Sequence, residues 1–331
     1  MLTHLHLQRF KCFRDLRIEP LGRVNLITGK NNTGKTSLLE GVMLYADPAK
    51  AFATMPVQRR AQIRKQGTSS EAHEPQLYYR KQEIAQDRER LSRLFYQGQV
   101  TQSACINDFC LTLEEQSQAM VEGFLKETVH QPLLSWQANG ERATYPVEWV
   151  GLVKPSHDDL VPLLERVLLT PAEDALLRFL HLLEPKVMRV GVKHSHYEDS
   201  IQVRLSDEPR PVPLTQLGEG LQRMLLLYLH ATQARSGFLL IDEIETGLHH
   251  SVIEEVWAHL FRLCEAQKVQ LFATTHSADC VEAFAQVGSE ATWQVQTRLT
   301  RLHRNQLGEV QAETFEPEAV HAAFEMGIET R

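Results

Sequence analysis

The start of the chain alternates between apolar and polar residues, and this alternation predicts short strands. Leu2, Leu5 and Leu7 alternate with polar side chains over residues 2–8, which is typical of a half-buried strand. A second short strand is predicted at 16–18, and the apolar run at 24–27 predicts a buried third strand. Because the connections are short, we expect an antiparallel sheet at the amino terminus.

Longer apolar patterns predict the helices and further strands. Apolar residues recur at helical spacing from Leu38, and Pro48 predicts the end of that helix. The same spacing over 157–184 predicts more helix, which Pro185 ends. The other predicted elements are an antiparallel sheet region at 105–113 and 130–153, strands at 187–193 and 200–205, and a linker at 209–213.

Two continuous apolar runs, at 237–243 and 269–277, predict strands inside a parallel sheet, because such strands are apolar on both faces. The whole pattern predicts an α/β fold with a mostly parallel core sheet, an antiparallel amino-terminal sheet and a helical insertion. We expect 1–48 and 206–331 to form the core and 49–205 to form the insertion.

The predicted insertion begins with a basic segment. Over 50–98 basic residues outnumber acidic ones, and the segment reads as helical around a loop at 67–75. A basic surplus of this kind is typical of a solvated helix surface, and a face that binds a polyanion such as DNA is the alternative. Besides Lys50, the basic residues are Arg59, Arg60, Arg64, Lys65, Arg80, Lys81, Arg88, Arg90 and Arg93.

Composition narrows the class of protein. The chain has 331 residues, of which 43% are hydrophobic and 23% charged, as in ordinary globular proteins. A net charge of −7 argues against a surface that binds nucleic acid everywhere. No apolar run approaches the ~20 residues of a membrane helix. We therefore expect no membrane partner and a cytoplasmic location.

The cysteines and histidines show no metal-binding spacing. The five cysteines form no C-x-x-C pair, and we expect reduced, mostly buried thiols. None of the close histidine pairs has a carboxylate or thiol at ligand spacing. The cysteines are Cys12, Cys105, Cys110, Cys264 and Cys280.

Residues 29–36 match the P-loop pattern, Gly-x-x-x-x-Gly-Lys-Thr, between a predicted strand and a predicted helix. Glycines let the backbone N–H groups point at phosphate oxygens, and the helix start adds a positive dipole. Lys35 would reach the β- and γ-phosphates of ATP, and the Thr36 hydroxyl would bind Mg²⁺. The predicted nucleotide contacts are Gly29, Asn31, Asn32, Thr33, Gly34, Lys35, Thr36 and Ser37.

Acidic residues and a histidine follow the two buried strands. Asp242 and Glu243 end the first, where open α/β sheets bind ligands. Asp242 is suited to hold Mg²⁺, and Glu243 to polarise the attacking water as general base. His276 ends the second strand, where it could bind the γ-phosphate, with Thr274 and Thr275 as lesser candidates for polar contacts. A purely structural histidine is the alternative.

A second glycine-rich helix start lies at 218–220, Gly-Glu-Gly. Such a terminus can bind an anion, although a plain helix start is the alternative. Because the chain already has one P-loop, Gly218 and Gly220 could serve a nucleotide held by another subunit.

The set and order of these motifs resemble the ATP-binding cassette (ABC) ATPases. The sequence is most similar to their RecF/SMC-like branch, and especially to stand-alone AAA-type ATPases similar to the ATPase half of OLD-family nucleases. The resemblance is carried by Leu5–Phe13, 29–37, 217–223, 240–249 and 273–277. It implies an ABC-type ATPase head that forms a head-to-tail dimer with two ATP molecules between the subunits.

The resemblance also assigns segments. It makes 218–223 the signature segment, 245–249 the D-loop and His276 the switch histidine. Gly218 stands where a serine is usual, so that contact with the γ-phosphate would come from the backbone or from Arg223. His249 stands where many relatives have aspartate, and Gln97 and Gln99 are both candidates for the Q-loop.

Two functions follow from the resemblance. The first is an Mg-dependent ATPase whose dimerisation drives or licenses a partner, in DNA transactions or anti-phage defence. The second is a nucleotide-gated scaffold that hydrolyses slowly or not at all. The chain ends too soon after His276 for a Toprim nuclease domain, so any nuclease would be a separate effector protein.

Overall fold

The computed structural model describes residues 1–48, 50–51, 93–99, 103–107, 109–122, 125–138, 144–152, 157–195 and 199–325. The strands are β1 (Leu5–Phe10), β2 (Phe13–Ile18), β3 (Val24–Gly29), β4 (Ala104–Ile106), β5 (Phe109–Glu122), β6 (Leu125–Ala138), β7 (Val147–Val150), β8 (Val187–Lys193), β9 (Ser200–Leu205), β10 (Val212–Pro213), β11 (Phe238–Ile241), β12 (Gln270–Thr274), β13 (Thr297–Arg304) and β14 (Val310–Phe315). The helices are α1 (Lys35–Ala46), α2 (His157–Glu165), α3 (Pro171–Leu180), α4 (Glu219–Gln233), α5 (His250–Gln267), α6 (Ala278–Gly288) and α7 (Pro317–Glu325).

A six-stranded sheet in the order β14-β13-β3-β12-β11-β7 forms the core. All neighbouring pairs from β13 to β7 are parallel, and β14 is antiparallel. β11 and β12 are buried along their whole length, as parallel strands covered on both faces must be. The predicted α/β fold with a mostly parallel core sheet is confirmed.

Strands β1 and β2 belong to a separate antiparallel sheet in the order β2-β1-β4-β5-β6, as predicted, whereas the third amino-terminal strand, β3, pairs in parallel in the core sheet. Its apolar side chains Leu5 and Leu7 share one hydrophobic cluster with Leu39 of α1 and Phe272 of β12. Helix α1 therefore packs against both sheets.

The structure describes parts of the middle of the chain, where the sequence predicts a separate insertion. The strands predicted at 187–193 and 200–205 are present as β8 and β9, and the helical stretch before them is divided into α2 and α3. The prediction of an antiparallel region at 130–153 is wrong for β7, which pairs in parallel with β11 in the core sheet. The predicted linker at 209–213 contains β10, which pairs with β9.

Side chains from both sides of the predicted boundary at 205 share one hydrophobic cluster. Leu176 and Ile201 pack there with Leu221 and Leu225 of α4. Most of the basic segment 50–98 lies outside the described residues, so its helical structure stays a prediction. The division into a core and an insertion also stays a prediction.

The expectation of five reduced thiols is wrong for two cysteines. Cys105 and Cys110 form a disulfide, with their Cα atoms 4.1 Å apart. They face each other in the register of β4 and β5, and residues directly opposite in an antiparallel pair lie close enough for this bond. The remaining cysteines, Cys12, Cys264 and Cys280, are free. No helix among the described residues is long and apolar enough to cross a membrane.

Candidate active site

The P-loop connects β3, which ends at Gly29, to α1, which begins at Lys35. Its tight course depends on Gly34, whose φ is +94°. A Cβ at this position would lie 2.4 Å from Sγ of Cys12, so both conformation and space require glycine. The Thr33 hydroxyl donates to the Lys30 carbonyl at 2.8 Å and closes the loop on itself. The loop thus has the curled form that the sequence predicted.

The ammonium group of Lys35 points back into the loop. Nζ donates to the Gly29 carbonyl at 2.7 Å and to the Lys30 carbonyl at 3.2 Å. Burial lowers the pKa of Lys35, and the nearby charges of Glu243 and Asp242 oppose this effect. The lysine therefore lies close to the acidic residues at the ends of the neighbouring strands.

Asp242 follows β11 and is joined to the P-loop helix. The Thr36 hydroxyl donates to Asp242 Oδ2 at 2.9 Å, and the Thr274 hydroxyl donates to Asp242 Oδ1 at 2.6 Å. Thr274 also accepts the backbone N–H of Glu243 at 2.9 Å. The carboxyl ends of β3, β12 and β11 therefore meet in one cluster, as expected for adjacent parallel strands. Thr274 was a lesser candidate in the sequence, because its contacts depend on which strands are neighbours.

Glu243 and His276 lie at the same edge of the sheet. The backbone of Glu243 has φ +48°, an unusual conformation for a residue other than glycine that often marks functional sites. Nδ1 of His276 lies 3.9 Å from Glu243 Oε1, with both side chains partly exposed. The structure therefore brings the predicted base and the predicted switch histidine together.

Glu245 belongs to this cluster although the sequence placed it only in the D-loop. Its Oε1 accepts the backbone N–H of His276 at 3.0 Å and lies 3.2 Å from the ring nitrogen Nδ1. The sequence shows that Glu245 follows Asp242 closely, but it does not show that the side chain of Glu245 points towards His276.

The signature segment begins α4 beside the D-loop. Gly218 has φ +87° and ψ 165°, a backbone conformation open essentially to glycine alone, so a serine would be strained there. A Cβ at Gly220 would lie 2.9 Å from the carbonyl oxygen of Gly247 in the D-loop. The signature segment and the D-loop are therefore in direct contact.

Arg223 makes its contacts within its own chain. It is only 8% exposed. Its guanidinium donates to the carbonyls of Gly151 at 2.7 Å, Asp242 at 3.0 Å and Glu243 at 3.3 Å. These contacts tie α4 to the ends of β7 and β11, and the contact of the signature segment with a γ-phosphate, through the backbone or Arg223, stays a prediction.

The other predicted positions are less informative. His249 accepts the backbone N–H of Ser251 at the start of α5, and its ring lies 4.0 Å from that of His250. Gln97 and Gln99 are exposed, and the choice between them as the Q-loop stays open. Within the described part of the chain, no three His, Cys, Asp or Glu side chains form a group that could hold a metal.

Two family models match the parts of the chain that carry this site. Residues 168–280 match the model described as "AAA domain, putative AbiEii toxin, Type IV TA system", and they contain the signature segment, Asp242, Glu243 and His276. Residues 4–46 match a second model, "AAA domain", and they contain the P-loop.

One curated relative resembles the chain over most of its length, and another resembles it over a short segment. An ATP/GTP phosphatase of Helicobacter pylori is 22% identical over 344 residues, which cover 90% of this chain and 91% of that protein. The DNA replication and repair protein RecF of Pseudoalteromonas translucida is 45% identical over 53 residues, or 16% of this chain and 14% of that protein.

Solved structures show the fold. An SMC head bound to the C-terminal winged-helix domain of ScpA has a TM-score of 0.52 and 11% identity, with 97% of this chain and 99% of that chain covered. A Pyrococcus furiosus SMC head bound to the C-terminal domain of ScpA has a TM-score of 0.52, 12% identity and 98% coverage of both chains. The finer resemblance to OLD-family nucleases stays a prediction. Residues 4–46 and 168–280 thus match AAA-type ATPase domains, and the chain has the fold of the SMC heads.

Proposed function

We propose that this protein hydrolyses ATP as a dimer, with each ATP held between the P-loop of one subunit and the signature segment of the other. One observation carries the proposal: the two phosphate-facing elements lie apart in a single chain. Arg223, near the start of α4, contacts residues after β7 and β11, and these strands lie three and two spacings from β3 in the core sheet. These spacings amount to roughly 10–14 Å. Gly218 is exposed there and open to a second subunit.

The residues at the P-loop fit the phosphates of ATP and a magnesium ion. Thr36 and Asp242 place two oxygen donors within 2.9 Å of each other, and Mg²⁺ prefers oxygen ligands. Lys35 has its ammonium at the loop carbonyls and would turn to the β- and γ-phosphates. Bound Mg²⁺ would neutralise charge on the phosphate oxygens.

Hydrolysis falls to Glu243 and His276. Glu243 is 35% exposed at the side chain, so its carboxylate can reach a water molecule in line with the γ-phosphate. His276 is 54% exposed and stands beside it, where it would contact that phosphate. The relative named ATP/GTP phosphatase supports a reaction of this class.

A partner protein completes the proposal. We infer that the ATP-driven dimer licenses a separate effector, such as a nuclease, in a DNA transaction or in anti-phage defence. Support comes from the matched family, described as a putative toxin of a toxin–antitoxin system, and from the SMC head that was solved with a bound ScpA domain.

A nucleotide-gated scaffold is the second candidate. It is favoured by His249, which stands where many relatives have aspartate and which binds within its own helix start rather than reaching outward. In that case the protein would bind ATP and hold its effector, but turnover would be slow or absent.

The test is the mass in solution of Glu243→Gln with and without Mg-ATP, beside phosphate release by the wild type. A shift to dimer with ATP, together with hydrolysis by the wild type alone, supports the ATPase dimer. Loss of the general base should lower kcat about 10²- to 10⁴-fold. ATP binding without dimer or turnover favours the scaffold, and absence of ATP binding overturns both.

DNA is tested separately. Charge reversal at Arg59, Arg60 and Arg64, outside the described residues, should weaken DNA binding and flatten its dependence on salt. Unchanged DNA binding would favour the alternative that this segment is a solvated helix surface.

A further inference from the structure

We propose that Glu245 is a positioning residue for His276: it keeps the proton of the neutral ring on Nδ1 and so presents Nε2 to the γ-phosphate side of the site. This inference rests on the proposed function for the role of His276, but the geometry behind it belongs to the chain alone.

A single carboxylate oxygen holds His276 at two points. Glu245 Oε1 accepts the backbone N–H of His276 at 3.0 Å and lies 3.2 Å from Nδ1 of the ring. The side chain of Glu245 is 12% exposed, whereas that of His276 is 54% exposed. The carboxylate that contacts Nδ1 is therefore mostly buried, whereas more than half of the histidine side chain is open to solvent.

Glu243 does not compete for this contact. Its Oε1 lies 3.9 Å from Nδ1, beyond hydrogen-bonding distance. If His276 paired with Glu243 instead, the histidine would occupy the carboxylate that must take a proton from water. Glu245 therefore holds the ring and leaves Glu243 available as the base.

The chemistry of the pair selects the tautomer. A neutral imidazole carries one N–H, and the group facing one ring nitrogen decides which nitrogen has it. An ionised carboxylate can only accept, so its negative charge beside Nδ1 favours the proton there. Nε2 then has a free lone pair, can hold a water molecule, and can take up a proton to donate to a γ-phosphate.

Two positively charged side chains lie near Glu245. The charges of Lys35 and Arg223 both interact with it. Its second oxygen, Oε2, is buried and has no hydrogen-bond partner within the described chain. A carboxylate kept in this position without full hydrogen bonding costs stability, so a role at the site accounts for it better than a role in folding.

The direct test is the ¹⁵N NMR spectrum of histidine-labelled protein without nucleotide. The His276 signals are assigned from their loss in His276→Gln, and the ¹⁵N shifts give the protonated nitrogen. We expect Nδ1–H in the wild type and a shift towards Nε2–H in Glu245→Ala. An Nε2–H ring in the wild type, or an unchanged tautomer in the variant, overturns the inference.

Kinetics provide the second readout. If Glu245 acts through His276, the double variant Glu245→Ala/His276→Gln should have the kcat of His276→Gln within about twofold, whereas independent roles would multiply. Glu245→Gln keeps an acceptor for the His276 N–H, so it covers the case in which Glu245→Ala does not fold. If the fold-losses of kcat in the two single variants multiply in the double variant, the inference is overturned.

The exposed Glu255→Ala on α5 is the matched control and should leave both the tautomer and kcat unchanged. The proposed ATPase function and the positioning role of Glu245 can fail separately. The tautomer measured by NMR does not depend on whether the protein hydrolyses ATP. If the protein hydrolyses ATP but its His276 is the Nε2–H tautomer, only the role of Glu245 is refuted.

Discussion

The hydroxyl of Thr274 donates a hydrogen bond to Oδ1 of Asp242 at 2.6 Å. The same hydroxyl accepts the backbone N–H of Glu243 at 2.9 Å, so it fixes both acidic residues from the neighbouring strand. Asp242 uses its other oxygen for Thr36. Side chains behind a metal ligand commonly set the orientation of that ligand.

Thr274→Val keeps the shape of the side chain but removes both hydrogen bonds. We expect the Mg²⁺ concentration for half-maximal hydrolysis to rise roughly 10- to 100-fold, as for other residues behind metal ligands. Thr274→Ser should restore most of the loss because it keeps the hydroxyl. An unchanged Mg²⁺ dependence in Thr274→Val would show that Asp242 is held without this contact.

Lys35→Ala should abolish or severely weaken ATP binding. Removing one partner of a desolvated charge pair costs about 2–5 kcal/mol, which corresponds to a roughly 30-fold or greater rise in Kd. Titration calorimetry of both proteins with ATP measures this directly. Equal affinities would refute the P-loop assignment, whereas Glu243→Gln should bind as well as the wild type.

Gly218→Ala isolates the backbone requirement of the signature segment. Nothing lies within 4 Å of a Cβ at this position, so the cost comes from φ +87° alone and should be about 1–3 kcal/mol. Gly191→Ala in β8 also meets nothing within 4 Å and has no positive φ, so it should not destabilise the protein. Equal unfolding free energies for both variants in urea would contradict the prediction.

Glu148 on β7 joins α4 to the segment after α1. Its two oxygens lie 2.7 Å from His230 Nδ1 and 2.7 Å from Lys50 Nζ. Burial raises the pKa of Glu148, but hydrogen bonds from His230 and Lys50 outweigh it and hold the pKa below the usual value. Ionised Glu148 therefore contributes its full stabilisation of the folded state above its unfolded-state pKa, about 4.3. This contribution is lost as the pH falls through its folded-state pKa.

Glu148→Gln should consequently lower the unfolding free energy at pH 7 by about 1–3 kcal/mol. The difference in unfolding free energy between the wild type and the variant should shrink as the pH falls below about 4.3. Urea unfolding at pH 7, 5 and 4 measures both effects. A constant difference between the two proteins across this range would show that Glu148 does not carry the acid dependence.

Counts of reactive thiols test which cysteines are buried and which are joined by a disulfide. Burial raises the pKa of Cys264 and Cys280 to about 12 and also raises that of Cys12, so the native protein should react slowly with Ellman's reagent. Unfolded without a reductant it should show three thiols, and after reduction five. Five thiols before reduction would mean that Cys105 and Cys110 are not joined.

Features that depend on neighbouring residues in the chain were predicted well from the sequence. The P-loop turn, the strands β8 and β9 and the acidic end of β11 follow from local patterns of glycine, apolar residues and charge. The nearness of Thr36 to Asp242 was predictable as well, because parallel strands place their carboxyl ends at one edge.

Features that depend on distant partners were missed. Val147–Val150 reads as an ordinary short strand, and only its pairing with β11 makes it parallel. An arginine near a helix start suggests solvent or an anion, but Arg223 is buried against carbonyls from two other strands. The Cys105–Cys110 bond depends on the register of one hairpin, and the direction of Glu245 depends on where β12 ends.

The position of β3 has a consequence for how the protein is made. This strand leaves the ribosome well before its two neighbours in the sheet, β12 and β13, which come at 270–304. Until those residues emerge, the apolar Leu26 and Ile27 have no strand on either side. Pairings this distant in sequence form slowly. The P-loop therefore cannot be held in the core sheet until β12 and β13 have been translated, and β3 is exposed to aggregation until then.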